Sequence, residues 1–366
     1  MGYLAGLATG FISFGKKESR IAYLLTACYA WVLFGFNTFN LDYANYQARF
    51  EGSSGMISEP LFLLMFRIFR RLGFRYQAFL VLYAAICLIL ISVVIIKYSP
   101  YPAAVLFMYI LFPFCYDTVQ MRFFLASSIF LLASCLLIEY KLRPNLLYVF
   151  GFIALVCIAA GFHYSAVFFL AFLVLFLDHK RYGFLQFIII PLGLIGICVV
   201  LPRIFELVGS VIGMEKANAW IASIERATLT RMIRLLIIRG GMVILCLIAK
   251  YIPWEKGIRY DEDAAANRID HTLFMLTLYS MLFVVLEIFL SSAYERLTRP
   301  GLLFGWIYIS RRIRLTNRET KVLMWILMLG LLAANFYTNL FMGTARGGTR
   351  QFESVFLNMF NNNAIF

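Results

Sequence analysis

From Gln77 to Ile96 the chain runs for twenty residues without a charged side chain, and shorter apolar runs recur along its whole length. At about 1.5 Å of rise per residue, twenty helical residues reach about 30 Å, the thickness of the hydrocarbon core of a bilayer. Lipid offers no partner to a backbone N–H or C=O, so such runs must pair internally, and no alternating strand pattern competes with the helix. Composition agrees: 62% of residues are hydrophobic and 14% charged, against about 45–50% and ~25% in a soluble domain. The expectation is an all-α polytopic membrane protein with a single transmembrane domain over residues 1–366. Disordered, coiled-coil, collagen-like and disulfide-stapled classes fail on the same figures.

The apolar segments, in order, are Ile21–Phe39, Gln77–Ile96, Tyr101–Tyr116, Phe123–Ile138, Leu146–Gly161, Tyr164–Leu177, Phe184–Leu201, Leu235–Ala249, Thr272–Leu290, Gly301–Ser310 and Val322–Phe341. With the apolar N-terminal run Tyr3–Phe14 they predict roughly 10–12 crossings. That first run precedes Lys16, Lys17 and Arg20 rather than following them, the reverse of a secretory signal. Placing those three cations in the cytoplasm and alternating puts eight of the nine lysines inside, with only Lys216 outside. The other 24 basic residues are Arg, and many fall on the outer side, an excess that reads as functional rather than topological. Arg binds phosphate bidentately through a planar fork, whereas Lys acts as a point charge.

Residues 59–75, EPLFLLMFRIFRRLGFR, combine an apolar spacing of Leu61, Leu64, Met65, Ile68 and Leu72 with Arg67, Arg70, Arg71 and Arg75. The pattern predicts an amphipathic helix lying in the membrane interface inside an outer-face loop, 40–76, and not a crossing. A second outer loop is expected over 202–234, and a cytoplasmic one over 250–271.

On this layout the polar residues collect at one face. They include Asp42 and Tyr46 in DYANYQARF, Glu59 before Pro60, Gln120 and Arg122 in QMRFF, and His163 and Tyr164 in GFHYSA. Arg231 in the second outer loop and Glu295 with Arg296 in YERLTRP complete the set. Ionisable groups at membrane depth are costly and mark functional sites by default. Plainer roles compete: Asp42 and Glu59 as loop solvation or a helix cap, Arg122 as a snorkelling cation, His163 as a packing residue, Arg231 as part of a headgroup-facing stripe. The seven cysteines are isolated within apolar runs, and the three histidines lie far apart, so no metal site is expected. No nucleotide-binding or hydrolase motif is present, no cofactor is expected, and the net charge of +14 is too scattered to indicate nucleic acid. Arg, His and carboxylates at the mouth of a lipid-embedded cavity suit transfer from a lipid diphosphate, with Arg stabilising the departing charge and a carboxylate or His taking a proton.

The order of DYANYQARFEG, SEPLFLLMFRIFRRLGF, QMRFFLASSIFLLASCLLIEYKLR, AAGFHYSAVFFL and YERLTRPGLLF resembles the EpsG-like branch of the Wzy-type polysaccharide polymerases, which join O-antigen or exopolysaccharide repeat units. The matching blocks run from about Asp42 to Arg296; the late segment departs most from the family pattern. The resemblance implies a GT-C-like, metal-independent glycosyltransferase of the bacterial inner membrane. It would join undecaprenyl-diphosphate-linked oligosaccharides at the periplasmic or outer face, surrounded by membrane lipid and working with a chain-length regulator. It also implies catalytic roles for Arg122 on the diphosphate, His163 in acceptor orientation or base work, and Asp42 or Glu59 as base or sugar-hydroxyl ligand. Tyr46, Gln120, Tyr164, Arg231, Glu295 and Arg296 would bind substrate. Two other functions fit the residues: a flippase for the lipid-linked oligosaccharide, kept in play by Arg239 and Glu287 inside spans, and a membrane O-acyltransferase using His163 as its base.

Overall fold

The apolar runs form helices in the computed structural model of the chain, which describes residues 1–15, 19–53, 59–178, 181–184, 188–189, 191–196, 200, 229–252, 264–289, 292–341 and 351–365. In chain order these are α1 (Gly2–Gly15), α2 (Arg20–Gly35), α3 (Tyr43–Glu51), α4 (Pro60–Arg71), α5 (Tyr76–Tyr98), α6 (Pro102–Leu111), α7 (Phe114–Val119), α8 (Met121–Leu142) and α9 (Leu146–Phe162). A 3₁₀ segment, Tyr164–Phe176, precedes α10 (Leu229–Tyr251), α11 (Ala264–Leu282) and α12 (Val284–Phe289). A second 3₁₀ segment, Ser292–Thr298, leads to α13 (Arg299–Ile313), α14 (Arg318–Leu340) and α15 (Asn358–Asn361). No β-strand forms among the described residues; one isolated bridge joins Asn37 to Asn363. The all-α, multi-pass membrane architecture expected from the sequence is the one observed. Among the described residues, four stretches are long and apolar enough to cross a membrane: Tyr76–Tyr98, Met121–Leu142, Ala264–Phe289 and Arg318–Leu340.

Local chemistry sets the helix starts. Ser19, Asn145 and Asn317 cap α2, α9 and α14 by accepting the backbone N–H of Ala22, Leu147 and Thr320. Pro60, Pro102 and Pro300 occupy first-turn positions, where a missing N–H costs nothing. Inside the bundle, hydroxyls bond back along their own helices, as Ser128 does to Phe124 O and Thr277 to Leu273 O, which satisfies them without a partner from another helix. Exposed Ile89, Ile96, Phe150, Leu323 and Ile326 present the apolar exterior that lipid requires.

Ion pairs and carbonyl contacts mark one end of the bundle. Lys97 at the end of α5 meets Glu139 of α8 at 2.6 Å, and Arg311 at the end of α13 meets Asp270 of α11 at 2.5 Å. Arg312 donates to the carbonyls of Ala249 and Lys250 at the end of α10. These are residues that the sequence assigns to the cytoplasm. The other end holds the close of α2 and α9 and the start of α5, α8 and α13.

The amphipathic segment does not carry the chain across. Gln77, in the first turn of α5, donates to Gly35 O at the end of α2 at 2.7 Å and accepts from the Tyr43 hydroxyl at 2.8 Å. The entry to and exit from the α3–α4 region therefore lie at the same end. Phe62 and Phe66 of α4 are buried while Leu64, Ile68 and the arginines are exposed, so one face packs on the bundle and the other, arginine-bearing face does not.

Two expected segments are broken. Tyr101–Tyr116 divides at Phe112-Pro113 into α6 and α7. The stretch after His163 winds as 3₁₀ helix; at about 2.0 Å per residue, thirteen residues reach about 26 Å, close to a full crossing despite the short sequence. Residues 229–234 and 264–271, from the two stretches read as loops, are helical. Most of 202–234, together with 253–263, lies outside the described residues.

Candidate active site

Glu59 is the extended residue just before α4, and its side chain does not cap the helix. Its carboxylate instead takes a hydrogen bond from Arg122 Nη1 at 2.6 Å. Arg122 opens α8, and its Nε donates to the Tyr46 hydroxyl of α3 at 3.3 Å. Two elements distant in sequence thus hold the guanidinium by two of its three nitrogens. Nη2 makes no hydrogen bond among the described residues, and the Arg122 side chain is 25% exposed against 5% for Glu59. Burial raises the Tyr46 phenol above its ordinary pKa although the Arg122 charge pulls it down, so it stays protonated. Arg122 is therefore fixed in place with one donor pair facing open space.

The neighbouring residue, Phe123, points the other way, edge-on to the His163 ring at 5.5 Å. His163 ends α9 and begins the 3₁₀ segment. Its Nε2 lies 2.8 Å from Arg296 Nη1, and its Nδ1 lies 2.8 Å from the Ser165 hydroxyl. Arginine only donates, and the Ser165 backbone N–H also points at Nδ1, from 3.2 Å. A neutral ring has one bare nitrogen, which accepts from Arg296 in one tautomer and from the Ser165 N–H in the other, so either way a donor already holds it. Burial, then the charges of Arg296 and Arg122, push the imidazole pKa down from 6.5 to about 3. His163 is thus neutral at physiological pH, with its lone pair already engaged. Arg296, on the Ser292–Thr298 segment, is pushed down to about 10, chiefly by burial and then by Arg299, and so remains a cation. Its guanidinium lies over the Phe123 ring at 5.8 Å.

Beneath Arg296 lies a buried ionic network. Glu295 Oε1 is 3.5 Å from Arg239 Nη2 and 3.6 Å from Arg299 Nε. Arg299 also meets Asp117 of α7 at 3.0 Å, and Tyr109 donates to the other oxygen of Asp117 at 2.5 Å. Arg239 completes the chain with Glu287 at 3.7 Å and Asn335 at 3.2 Å. Burying so many charges is tolerable only because each faces an opposite one. The network ties α6, α7, α10, α12, α13 and α14 to the short segment that presents Arg296.

Of the residues predicted from sequence, Tyr46, Glu59, Arg122, His163 and Arg296 come together. Asp42 immediately precedes α3, half-buried, without a capping hydrogen bond and close enough to influence Tyr46. Gln120 joins α7 to α8, and its Oε1 is buried without a hydrogen-bond partner among the described residues. Tyr164 is 54% exposed at the start of the 3₁₀ segment. Glu295 belongs to the ionic network, and the Arg231 side chain lies outside the described residues. Sequence reasoning did not single out Phe123, Ser165 or Tyr109. Ser165 carried the clearest available signal, two residues after His163 in HYS. No group of three or more His, Cys, Asp or Glu side chains able to hold a metal occurs among the described residues.

Fold and cluster together define a polytopic α-helical membrane protein with a cationic, partly open site at one end of its bundle. The chain belongs to the EpsG family, which it matches over residues 20–352. This is a family of Wzy-like polysaccharide polymerases, and it gives the chain a role of the polysaccharide-polymerase type, with a lipid-linked oligosaccharide as the implied substrate. Searches of curated proteins and of solved structures each gave no match.

Proposed function

We propose that the protein joins undecaprenyl-diphosphate-linked oligosaccharide repeat units at the non-cytoplasmic face of a bacterial inner membrane, with Arg122 and Arg296 clamping the diphosphate of the donor. The observation that carries this reading is Arg122: held by Glu59 and Tyr46, partly exposed, with its Nη2 pair uncommitted. Donors fixed in advance, at the place where charge develops, lower a barrier without reorganising during the reaction.

In the reaction, an acceptor sugar hydroxyl attacks the anomeric carbon of the chain carried on the donor lipid. The bond from that carbon to the diphosphate oxygen breaks, a glycosidic bond forms, and undecaprenyl diphosphate departs with its negative charge on the arginines. The hydroxyl proton needs an acceptor. His163 suits this poorly, because donors, Arg296 and the Ser165 N–H, face both of its ring nitrogens and its pKa is pushed down to about 3. Glu59 is engaged by Arg122. Asp42, half-buried beside Tyr46, is the carboxylate left for that role. His163 then acts as a positioning residue that aims Arg296, and Glu59 does the same for Arg122.

The test is complementation of a strain lacking the protein. Wild-type chain should restore a ladder of polymer lengths, and Arg122→Ala at equal membrane abundance should leave single repeat units. A wild-type ladder from Arg122→Ala would refute the assignment.

A further inference from the structure

Beside the Arg122 cluster, on the other side of α3, lies a cavity of about 720 Å³, within the range of small-molecule sites. α3 forms one wall and the turn from α4 into α5 the other; Tyr43, Gln47, Glu51, Arg70, Phe74 and Gln77 are among the residues lining it. Tyr43, Gln47 and Glu51 recur every four residues and so share one face of α3. Tyr46, on a different face, receives Arg122. A single helix therefore separates the two places.

The walls are largely fixed before any ligand arrives. The Gln77 amide is held between the Tyr43 hydroxyl and Gly35 O. Gln47 Nε2 donates to Glu51 Oε1 at 2.9 Å, which leaves Gln47 Oε1 and Glu51 Oε2 as acceptors. Arg70 crosses the C-terminal end of α3, where unpaired carbonyls favour a cation. It can do so because Gly52 has no side chain: a Cβ there would stand 2.7 Å from Arg70 Nη1. Gly52 also sits at φ 83°, a conformation that suits glycine.

The lining decides the ligand class. Acyl chains would want a wholly apolar wall, and this one carries an amide pair, a carboxylate and two guanidinium groups, Arg70 and Arg75. Half-buried aromatic rings (Tyr43 and Phe74) beside fixed amide and carboxylate groups suit the mixed character of a sugar, whose C–H faces pack on rings and whose hydroxyls both donate and accept. We infer that this cavity binds a short oligosaccharide segment of the polysaccharide, holding the chain beside the site that extends it. The ligand's identity rests on the polymerase reading; the test separates the two.

The probe is a set of lipid-free, diphosphate-free oligosaccharides, made by partial hydrolysis of the host's exported polysaccharide. They are titrated by calorimetry against full-length protein in nanodiscs. Wild type should bind saturably, and a Gln47→Ala/Glu51→Ala double variant should bind at least about tenfold more weakly, the loss expected from two hydrogen bonds. The same variant should still join two repeat units but yield shorter polymer. Both substituted residues lie at the rim, and an unchanged thermal melt confirms the fold. Absence of binding by wild type, or equal affinity in the double variant, overturns the inference. Should the oligosaccharides bind as expected while Arg122→Ala still polymerises, only the diphosphate site is misassigned.

Discussion

Replacing His163 with Gln and, separately, with Ala tells a positioning residue from a proton acceptor. In the structure Arg296 Nη1 lies 2.8 Å from Nε2 and donates to it in the tautomer that leaves Nε2 bare. A hydrogen bond to a charged group contributes about 1.5–3 kcal/mol, and each 1.36 kcal/mol is a factor of ten in rate. If that bond is needed to aim Arg296 at the departing diphosphate, His163→Ala should slow joining about ten- to a hundredfold. Gln offers a carbonyl oxygen that can receive the same N–H, so His163→Gln should lose less than about tenfold. The assay is the initial rate of joining two lipid-linked repeat units between pH 5.5 and 8. With its pKa pushed down to about 3, His163 does not titrate in that range. Wild type and His163→Gln should therefore show parallel pH profiles. The reasoning is refuted if His163→Gln is as inactive as His163→Ala and wild type shows a limb near pH 6.5 that the Gln variant lacks.

Acid should destabilise the fold through the same residue. The unfolded chain takes up a proton near pH 6.5 that the folded site refuses until about pH 3, so stability falls as pH drops through that window, by about 2 kcal/mol at pH 5. Melting curves in detergent should show the loss, and His163→Gln should reduce it. Glu295→Ala strips the shared partner from buried Arg239 and Arg299; it should cost about 3–5 kcal/mol, read as a lower melting temperature and reduced membrane abundance. Gly52→Ala meets both the φ of 83° and the 2.7 Å approach of Arg70; a loss of about 1–2 kcal/mol is expected in the same melts. Cysteines placed singly at Arg67 and Arg75 should react with an impermeant thiol reagent from the same side of the membrane. Opposite sides would mean that α4 crosses.

Much of this was legible in the sequence because lipid is a simple solvent: twenty uncharged residues from Gln77 to Ile96 allow few folds. The amphipathic reading of α4 set its arginines against Leu61, Leu64, Met65, Ile68 and Leu72, but the face that packs is that of Phe62 and Phe66, while Leu64, Ile68 and Leu72 are exposed. Arg122, His163 and Arg296 could be picked out because a charge in an apolar chain stands alone. Their partners were harder to read. Glu59 and Arg122 are 63 residues apart, and His163 and Arg296 133 apart, and no local spacing encodes a pairing made by tertiary packing. Asp117 and Arg299 were visible as charges, but that they and Glu295 brace the Arg296 segment depends on how α7 and α13 meet. That donors face both ring nitrogens of His163, and with it the shift from base to positioning residue, needed the position of Arg296 as well as the local turn to Ser165.

The most direct measurement is reconstitution of the purified protein with undecaprenyl-diphosphate-linked repeat units, without nucleotide sugar, reading product lengths on a gel. The account predicts a ladder of repeat-unit multiples from wild type and none from Arg122→Ala. Folded wild-type protein that leaves the correct lipid-linked unit unjoined, yet moves it across vesicle membranes, would contradict the account and identify a flippase.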